Sequence, residues 1–156
     1  MMWRKKGFAR GWGFTLVGQN DFQLNKFHPD APTNNFTPYY GVDNTGNIYV
    51  SANVRAFAAE VAKATGGKGV ALVTADGGFN VEGEENFQEV KVRQLVLCQF
   101  LTALTILKQG GDFVCKLFDV FTPFTAELLY ILYAHFEKFT LLKPYSSRPA
   151  NSERYV

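Results

Sequence analysis

Continuous apolar runs and longer runs of helical period alternate along this chain. A short apolar run bounded by glycine or polar residues predicts a strand in a buried sheet. Such runs lie at residues 12–17, 47–50, 69–75, 112–117, 138–142 and 153–156. The run at 69–75 is flanked by glycines, and we expect that strand to be covered on both faces.

Three further segments repeat their apolar residues with the period of an α-helix. Residues 51–65 form the first, with Ser51 or Asn53 as N-cap and Gly66 as C-cap. The second covers about residues 85–108 and is expected to end at the glycine pair that follows it. The third runs to about His135 and begins at a Thr-Pro pair, an N-cap followed by proline in the first helical position.

Residues 19–46 are polar and rich in Pro, Asn and Asp, so we predict one long loop there, and loops of that length are usually functional. Strands and helices otherwise alternate along the chain. That order predicts the α/β class, with a doubly wound sheet and helices on both of its faces.

Composition narrows the class of protein. The chain has 156 residues, enough for one domain, and its net charge of +2 does not indicate a strong non-specific polyanion binder. We interpret Cys98 and Cys115 as reduced residues of an intracellular protein, without a disulfide framework or a metal site. No apolar run reaches the length of a membrane span, and the first residues do not form a secretory signal.

A carboxylate and an amine each follow a predicted buried strand. Asp76 comes after the run at 69–75, and Lys116 comes after the apolar run at 112–115, near the end of its strand. In open α/β sheets, ligands bind at the carboxyl ends of the strands. Taken alone, an Asp-Gly turn and a lysine snorkelling from a strand end are the simpler interpretations of these two residues.

Short motifs that are specific in combination run from near the start of the chain to its end. They are Gly11–Leu16, Asn20–Phe22, Pro38–Gly41, Ala75–Phe79, Glu85–Gln88, Leu97–Leu101, Cys115–Lys116, Phe118–Asp119, Phe121–Phe124 and Ser147–Val156. In these motifs the chain resembles the FtsJ-like catalytic domain of the cap-specific mRNA (nucleoside-2′-O)-methyltransferases, and among them those that form cap 1. The resemblance implies a Rossmann-like methyltransferase sheet.

The resemblance also implies a Lys-Asp-Lys-Glu tetrad with S-adenosyl-L-methionine as methyl donor. Three tetrad members match here, namely Asp76, Lys116 and Glu153. The positions that correspond to cofactor contacts are Asn47, Ile48 and Asp76. Those that correspond to contacts with capped RNA are Asn86, Phe87, Gln88 and Asn151. This chain departs from the family at Asn47, where an acidic residue is expected.

The first tetrad lysine, the first strand and the glycine-rich cofactor loop of the family would all precede residue 1. Lys5 and Lys6 correspond to the end of the helix after that loop, so they do not replace the lysine. The resemblance thus implies a single, incomplete FtsJ-like domain over residues 1–156, completed by an upstream segment or domain. Without the missing strand we expect a marginally stable or aggregation-prone chain, because unpaired ladders are costly.

The implied reaction is methylation of the ribose 2′-hydroxyl of the first transcribed nucleotide of capped mRNA, in the nucleus. A lysine can accept the hydroxyl proton only if its pKa falls from about 10.4 toward neutrality. Lys116 would be that base, Asp76 would orient it, and Glu153 would support the network. An RNA-binding remnant without catalysis, or a 2′-O-methyltransferase of another RNA, remain the alternatives.

A basic cluster near the end of the chain also has two interpretations. Lys143, Arg148 and Arg154 could hold phosphates, or they could belong to a solvated loop.

Overall fold

The computed structural model describes residues 9–19, 21–27, 33–79, 83–84 and 87–156. The chain divides into two compact units, Met1–Gly67 and Lys68–Val156. Of the residues singled out above, Lys5, Lys6 and Asn86 lie outside the described ranges.

The first unit contains a two-stranded parallel sheet. Strand β1 (Gly11–Phe14) pairs with β2 (Phe36–Tyr39). β2 lies inside the segment predicted to be one long loop, so that prediction is wrong. Aromatic packing outweighs the polar composition there, because the Phe36 ring lies 4.9 Å from that of Phe22, between centroids. Short 3₁₀ turns at Leu24–Lys26 and Thr33–Asn35 account for part of the remainder.

Helix α1 (Ser51–Thr65) has the predicted bounds. It ends at Gly66, whose φ of 60° is left-handed, so the predicted C-cap is confirmed. The N-cap is Val50, without a side-chain cap bond, which corrects the prediction of Ser51 or Asn53. The predicted strand at 47–50 is also wrong, since those residues form a turn into the helix.

Asn53 explains why a turn replaces that strand. Its side chain is fully buried, accepts from Val42 N at 2.9 Å, and donates to Asp43 Oδ1 at 2.9 Å and to the Asn47 carbonyl at 3.1 Å. These bonds tie the preceding loop to the first turn of α1. The local turn is therefore determined by a buried amide in the helix.

The second unit contains a sheet of three strands in the order β3–β4–β5. β3 (Val70–Ala75) and β4 (Leu107–Leu117) are parallel, whereas β5 (Arg154–Tyr155) is antiparallel to β4. Helix α2 (Gln88–Ile106) leads directly into β4. The predicted helix end at the glycine pair is therefore wrong. Gly110, with a φ of 69°, lies inside β4, where the register with β3 shifts between Val70 and Leu72.

The core of this unit lies between α2, β4 and α3 (Pro123–His135). Its buried members are Val92, Val96, Phe100, Cys115, Leu117, Leu128, Leu129 and Leu132. Thr122 caps α3 by accepting from Thr125 N at 3.4 Å, and Pro123 follows it, as predicted.

Two strand predictions in this unit need correction. No residue of β3 is buried, so the expectation of a strand covered on both faces is wrong; Ala71 and Thr74 are exposed. At residues 138–142 the structure has only an isolated bridge between Leu142 and Tyr155.

The described residues form an α/β structure of three helices and two sheets, consistent with a Rossmann-like fold. None of the helices among them is long and apolar enough to cross a membrane.

Candidate active site

Asp76 and Lys116 meet at the carboxyl ends of two neighbouring parallel strands. Ala75 pairs with Cys115 in the register of β3 and β4, so the next residue of each strand emerges beside the other. The Asp76 carboxylate and the Lys116 ammonium form an ion pair. The Lys116 side chain is 17% exposed and that of Asp76 is 75% exposed. The lysine is thus enclosed by protein, while its carboxylate partner faces solvent.

The turn after Asp76 is held by a buried amide on α2. Gly77 N donates to Gln99 Oε1 at 2.7 Å, and Gln99 is buried. A Cβ at position 77 would lie 2.6 Å from that same oxygen, so the bond requires glycine here. Gln99 therefore determines how the chain leaves β3, immediately after the carboxylate of the ion pair.

Glu153 is linked by a hydrogen bond to Tyr155, which lies on the same face of the sheet as Lys116. Tyr155 lies opposite Lys116 in the register of β4 and β5, and residues opposite each other in an antiparallel pair project from the same face. The Tyr155 hydroxyl donates to Glu153 Oε1 at 2.8 Å. This hydrogen bond, with burial and the charges of Glu153 and Asp76, raises the pKa of Tyr155 to about 12. The phenol therefore stays protonated and remains a donor.

The loop that carries Asn151 and Glu153 is held by Lys143. Its ammonium donates to the Asn151 carbonyl at 2.7 Å, to Asn151 Oδ1 at 2.9 Å and to the Glu153 carbonyl at 3.2 Å. Arg154 likewise donates to the Ser152 carbonyl at 2.7 Å. Two members of the basic cluster thus donate to this protein's own oxygens, which favours the loop interpretation over a phosphate site. Arg148 is exposed.

The start of α2 presents an exposed aromatic ring beside a buried carboxylate. Phe87 is 63% exposed and precedes the half-buried Gln88. Glu89, which is buried, accepts from Phe121 N at 2.9 Å and from Thr122 N and Oγ1 at 2.9 and 2.6 Å. Burial acts to raise the pKa of Glu89, but the hydrogen bonds from Thr122, Thr125 and Phe121 outweigh it and lower that pKa.

Sequence reasoning missed three residues of this region, namely Glu89, Gln99 and Tyr155. Gln99 had a usable signal, because it lies seven residues after Val92 and so on the apolar face of α2, where a polar residue is unusual. Tyr155 follows Glu153 by two residues, which in a strand places both on one face. Glu89 gave no such signal, since an acidic residue in the first turn of a helix usually interacts with the dipole of that same helix.

The two cysteines are free thiols, one in α2 and one in β4. Cys115 is fully buried, and burial raises its pKa to about 12. Within the part of the chain that the structure describes, no group of three His, Cys, Asp or Glu side chains could hold a metal ion.

The FtsJ-like methyltransferase family matches residues 2–156. The chain belongs to that family. It is 54% identical over 159 residues to cap-specific mRNA (nucleoside-2′-O-)-methyltransferase 1 of Mus musculus, which covers 100% of this chain and 19% of the relative. The protein of the same name from Homo sapiens is 53% identical over 159 residues, again with 100% and 19% covered.

A relative from another organism gives a similar result. The protein of that name from Dictyostelium discoideum is 50% identical over 148 residues, covering 95% of this chain and 20% of the relative. This FtsJ-like chain thus spans about a fifth of the length of these relatives.

Membership of the family implies a methyl donor, and the end of β3 fits such a group. The Asp76 carboxylate is exposed there. A Cβ at Gly78 would lie 3.7 Å from Lys116 Nζ, so a longer side chain would fill the space in front of the amine and glycine leaves it open.

The two remaining cofactor candidates lie in the first unit. Asn47 Oδ1 accepts from Tyr49 N at 2.9 Å, so this amide stabilises the turn before α1. Ile48 is half-buried in the same turn. Their contact with a cofactor stays a prediction.

Proposed function

We propose that this chain belongs to an enzyme that methylates the ribose 2′-hydroxyl of the first transcribed nucleotide of capped mRNA, forming cap 1. The observation that carries the proposal is the ion pair of Asp76 and Lys116 at adjacent strand ends, on the sheet face that also carries Tyr155 and Glu153. Relatives named as cap-specific mRNA 2′-O-methyltransferases support the same substrate.

In the proposed reaction the Lys116 ammonium first releases a proton to solvent, and the neutral amine then accepts the proton of the attacking hydroxyl. Asp76 orients the amine, and its exposed carboxylate reaches the solvent side from which a ribose approaches. Glu153 completes the polar network through Tyr155. Much of the rate comes from holding the two substrates in line, because orientation removes a large entropic barrier.

The proposed donor is S-adenosyl-L-methionine, which supplies an electrophilic methyl group when bound. Asp76, Asn47 and Ile48 are the residues of this chain that we propose to contact it. An asparagine at position 47 offers no negative charge, so we expect weaker donor binding than in relatives with an acid there.

Capped RNA is proposed to contact Asn86, Phe87, Gln88 and Asn151. The exposure of Phe87 supports this, since an accessible ring can stack on a splayed base. The Asn151 side chain is held by Lys143 and by Ser147, whose hydroxyl donates at 3.2 Å, so it is presented in a defined orientation. Processing of capped mRNA further suggests a nuclear location.

A segment upstream of residue 1 is proposed to complete the sheet and to supply the first tetrad lysine and the glycine-rich loop. In support, β3 pairs with β4 along one edge, and none of its residues is buried. Addition of that segment should raise the unfolding temperature and reduce aggregation. A sharp single transition of the chain alone, without aggregation, would count against this expectation.

Methylation of capped and uncapped RNA of the same sequence, by the chain joined to the proposed upstream segment, tests the function. We expect transfer to the capped RNA alone, at the 2′-hydroxyl of its first nucleotide. Transfer to uncapped ribosomal or transfer RNA would favour another RNA as substrate. Calorimetry with S-adenosyl-L-methionine distinguishes the enzyme from a non-catalytic RNA-binding remnant. RNA binding without donor binding would identify the remnant.

A further inference from the structure

We propose that Tyr155 is a positioning residue of this active site, whose hydroxyl holds the Glu153 carboxylate on the sheet face that carries Lys116. This inference rests on the proposed function and adds to it a residue outside the tetrad. Four observations on the second unit support it.

Register is the first observation. Tyr155 pairs with Lys116 across β4 and β5, and the backbone bonds between Cys115 and Val156, at 2.9 and 3.0 Å, continue that pairing. Tyr155 is also bonded to Leu142 on its other side, with two backbone bonds of 2.8 Å. The phenol therefore projects from a backbone that is held on both edges, opposite the amine.

The hydrogen bond itself is the second observation. The Tyr155 hydroxyl lies 2.8 Å from Glu153 Oε1, a usual distance for an O–H···O hydrogen bond. The other carboxylate oxygen, Oε2, accepts from Asn151 Nδ2 at 3.4 Å, which is a weaker contact. Tyr155 is thus the stronger of these two donors.

The electrostatic environment is the third observation. The pKa of Tyr155 is raised by its bond to Glu153, by burial, and by the charges of Glu153 and Asp76. Both carboxylates of the site therefore act on this one phenol. A protonated phenol can contact a carboxylate without adding charge, so it orients Glu153 without competing with Lys116.

The fourth observation is that the backbone on either side of Glu153 is already held. Lys143 binds the Asn151 and Glu153 carbonyls. Since these bonds hold only the backbone, the Glu153 side chain is oriented by its two side-chain donors, of which the Tyr155 hydroxyl is the stronger. Loss of the hydroxyl alone should disorder the carboxylate but leave the loop in place.

Tyr155→Phe removes only that hydroxyl, and the chain offers a matched control in Tyr145→Phe, because Tyr145 is fully exposed. In the chain joined to the proposed upstream segment, we expect Tyr155→Phe to lower the single-turnover rate of methyl transfer about tenfold or more, since small displacements of reacting groups are costly. Affinity for capped RNA should stay unchanged, and Tyr145→Phe should match wild type. A wild-type rate in Tyr155→Phe would overturn the proposal.

A double-mutant cycle separates this proposal from the proposed function. If the wild-type chain joined to the proposed upstream segment transfers no methyl group, the proposed function fails, and the cycle still tests the contact. Unfolding midpoints of Tyr155→Phe, Glu153→Ala and the double variant should be non-additive. Additive midpoints would show that the hydroxyl does not hold Glu153, and would refute the positioning role.

Discussion

Two carboxylates of the second unit, Glu89 at the start of α2 and Asp76 beyond β3, are held in opposite ways. Glu89 is buried and accepts three hydrogen bonds from Phe121 and Thr122. Asp76 is 75% exposed and forms an ion pair with Lys116. The first has its oxygens committed to the fold, whereas the second faces solvent beside an enclosed amine.

This difference indicates which carboxylate is available for chemistry. A ligand could contact Glu89 only by displacing backbone donors, and buried donors left without partners destabilise the fold. Asp76 can orient a substrate hydroxyl without any such loss. We therefore expect substitutions at the two sites to have different effects. Substitution of Glu89 should mainly lower stability, and substitution of Asp76 or Lys116 should mainly lower the rate of methyl transfer.

The largest effect is expected at the amine of the ion pair. Lys116→Met keeps the length of the side chain and removes the charge and the proton acceptor. Methyl transfer to capped RNA should fall by about 10²–10⁴-fold, the usual contribution of a general base. Stability should change by less than about 1 kcal/mol, since the Asp76 carboxylate left without its partner is 75% exposed and stays hydrated.

Single-turnover transfer of a labelled methyl group measures that loss. Lys108→Met is the matched control, because Lys108 lies in the same strand and is exposed. Undiminished transfer in Lys116→Met would show that Lys116 is not the base of the reaction. The contrast between a structural Glu89 and a functional pair of Asp76 and Lys116 would then fail.

The next effect is on stability, at the buried carboxylate. Glu89→Ala should lower the free energy of unfolding by about 3 kcal/mol, because Phe121 N and Thr122 N lose their acceptor. Urea unfolding measures it. Glu127→Ala, at an exposed position of α3, is the control. A loss as small as that of the control would mean that water replaces the Glu89 oxygens.

A smaller effect is expected in the turn that follows Asp76. Gly77→Ala places a Cβ 2.6 Å from Gln99 Oε1 and 3.2 Å from Leu95 Cδ2, so the buried Gln99 side chain or the turn must shift and their hydrogen bond is disturbed. We expect a loss of about 1–3 kcal/mol, typical of overpacking, and slower transfer because Asp76 moves with the turn.

Gly78→Ala is the matched control for stability, since its added Cβ meets Lys116 Nζ at an ordinary 3.7 Å. Thermal unfolding should therefore separate the two alanine variants. Equal midpoints would show that the bond between Gly77 and Gln99 does not constrain the turn.

The smallest effect is the pH dependence of the Glu89 contribution. Its pKa is lower in the folded state than its ordinary value, so its stabilisation is complete above the unfolded pKa of about 4.3 and is lost as pH falls through the folded value. The stability difference between wild type and Glu89→Gln should therefore shrink on acidification. Thermal melts of both proteins at a series of acid pH values measure this difference. A difference that grows toward acid pH would show that the pKa of Glu89 is raised, not lowered, in the folded state.

Several features of this protein follow from the sequence alone. The bounds of α1, its C-cap Gly66 and the start of α3 at Thr122 were all predictable, because helical period and capping residues act over a few neighbouring positions. The positions of Asp76 and Lys116 at strand ends were also predictable, since each directly follows or ends an apolar run. The family likeness added Glu153, whose role stays a prediction.

Other features were decided only by the tertiary structure. β2 lies in a polar segment and forms because Phe22 and Phe36 pack together. Glu89 serves the N-terminus of α3, 33 residues away in the chain, rather than that of its own helix. Tyr155 meets Glu153 opposite Lys116 because β5 pairs with β4 in one particular register. Such contacts join residues far apart in sequence, and a local pattern does not encode which distant group will satisfy a buried donor or acceptor.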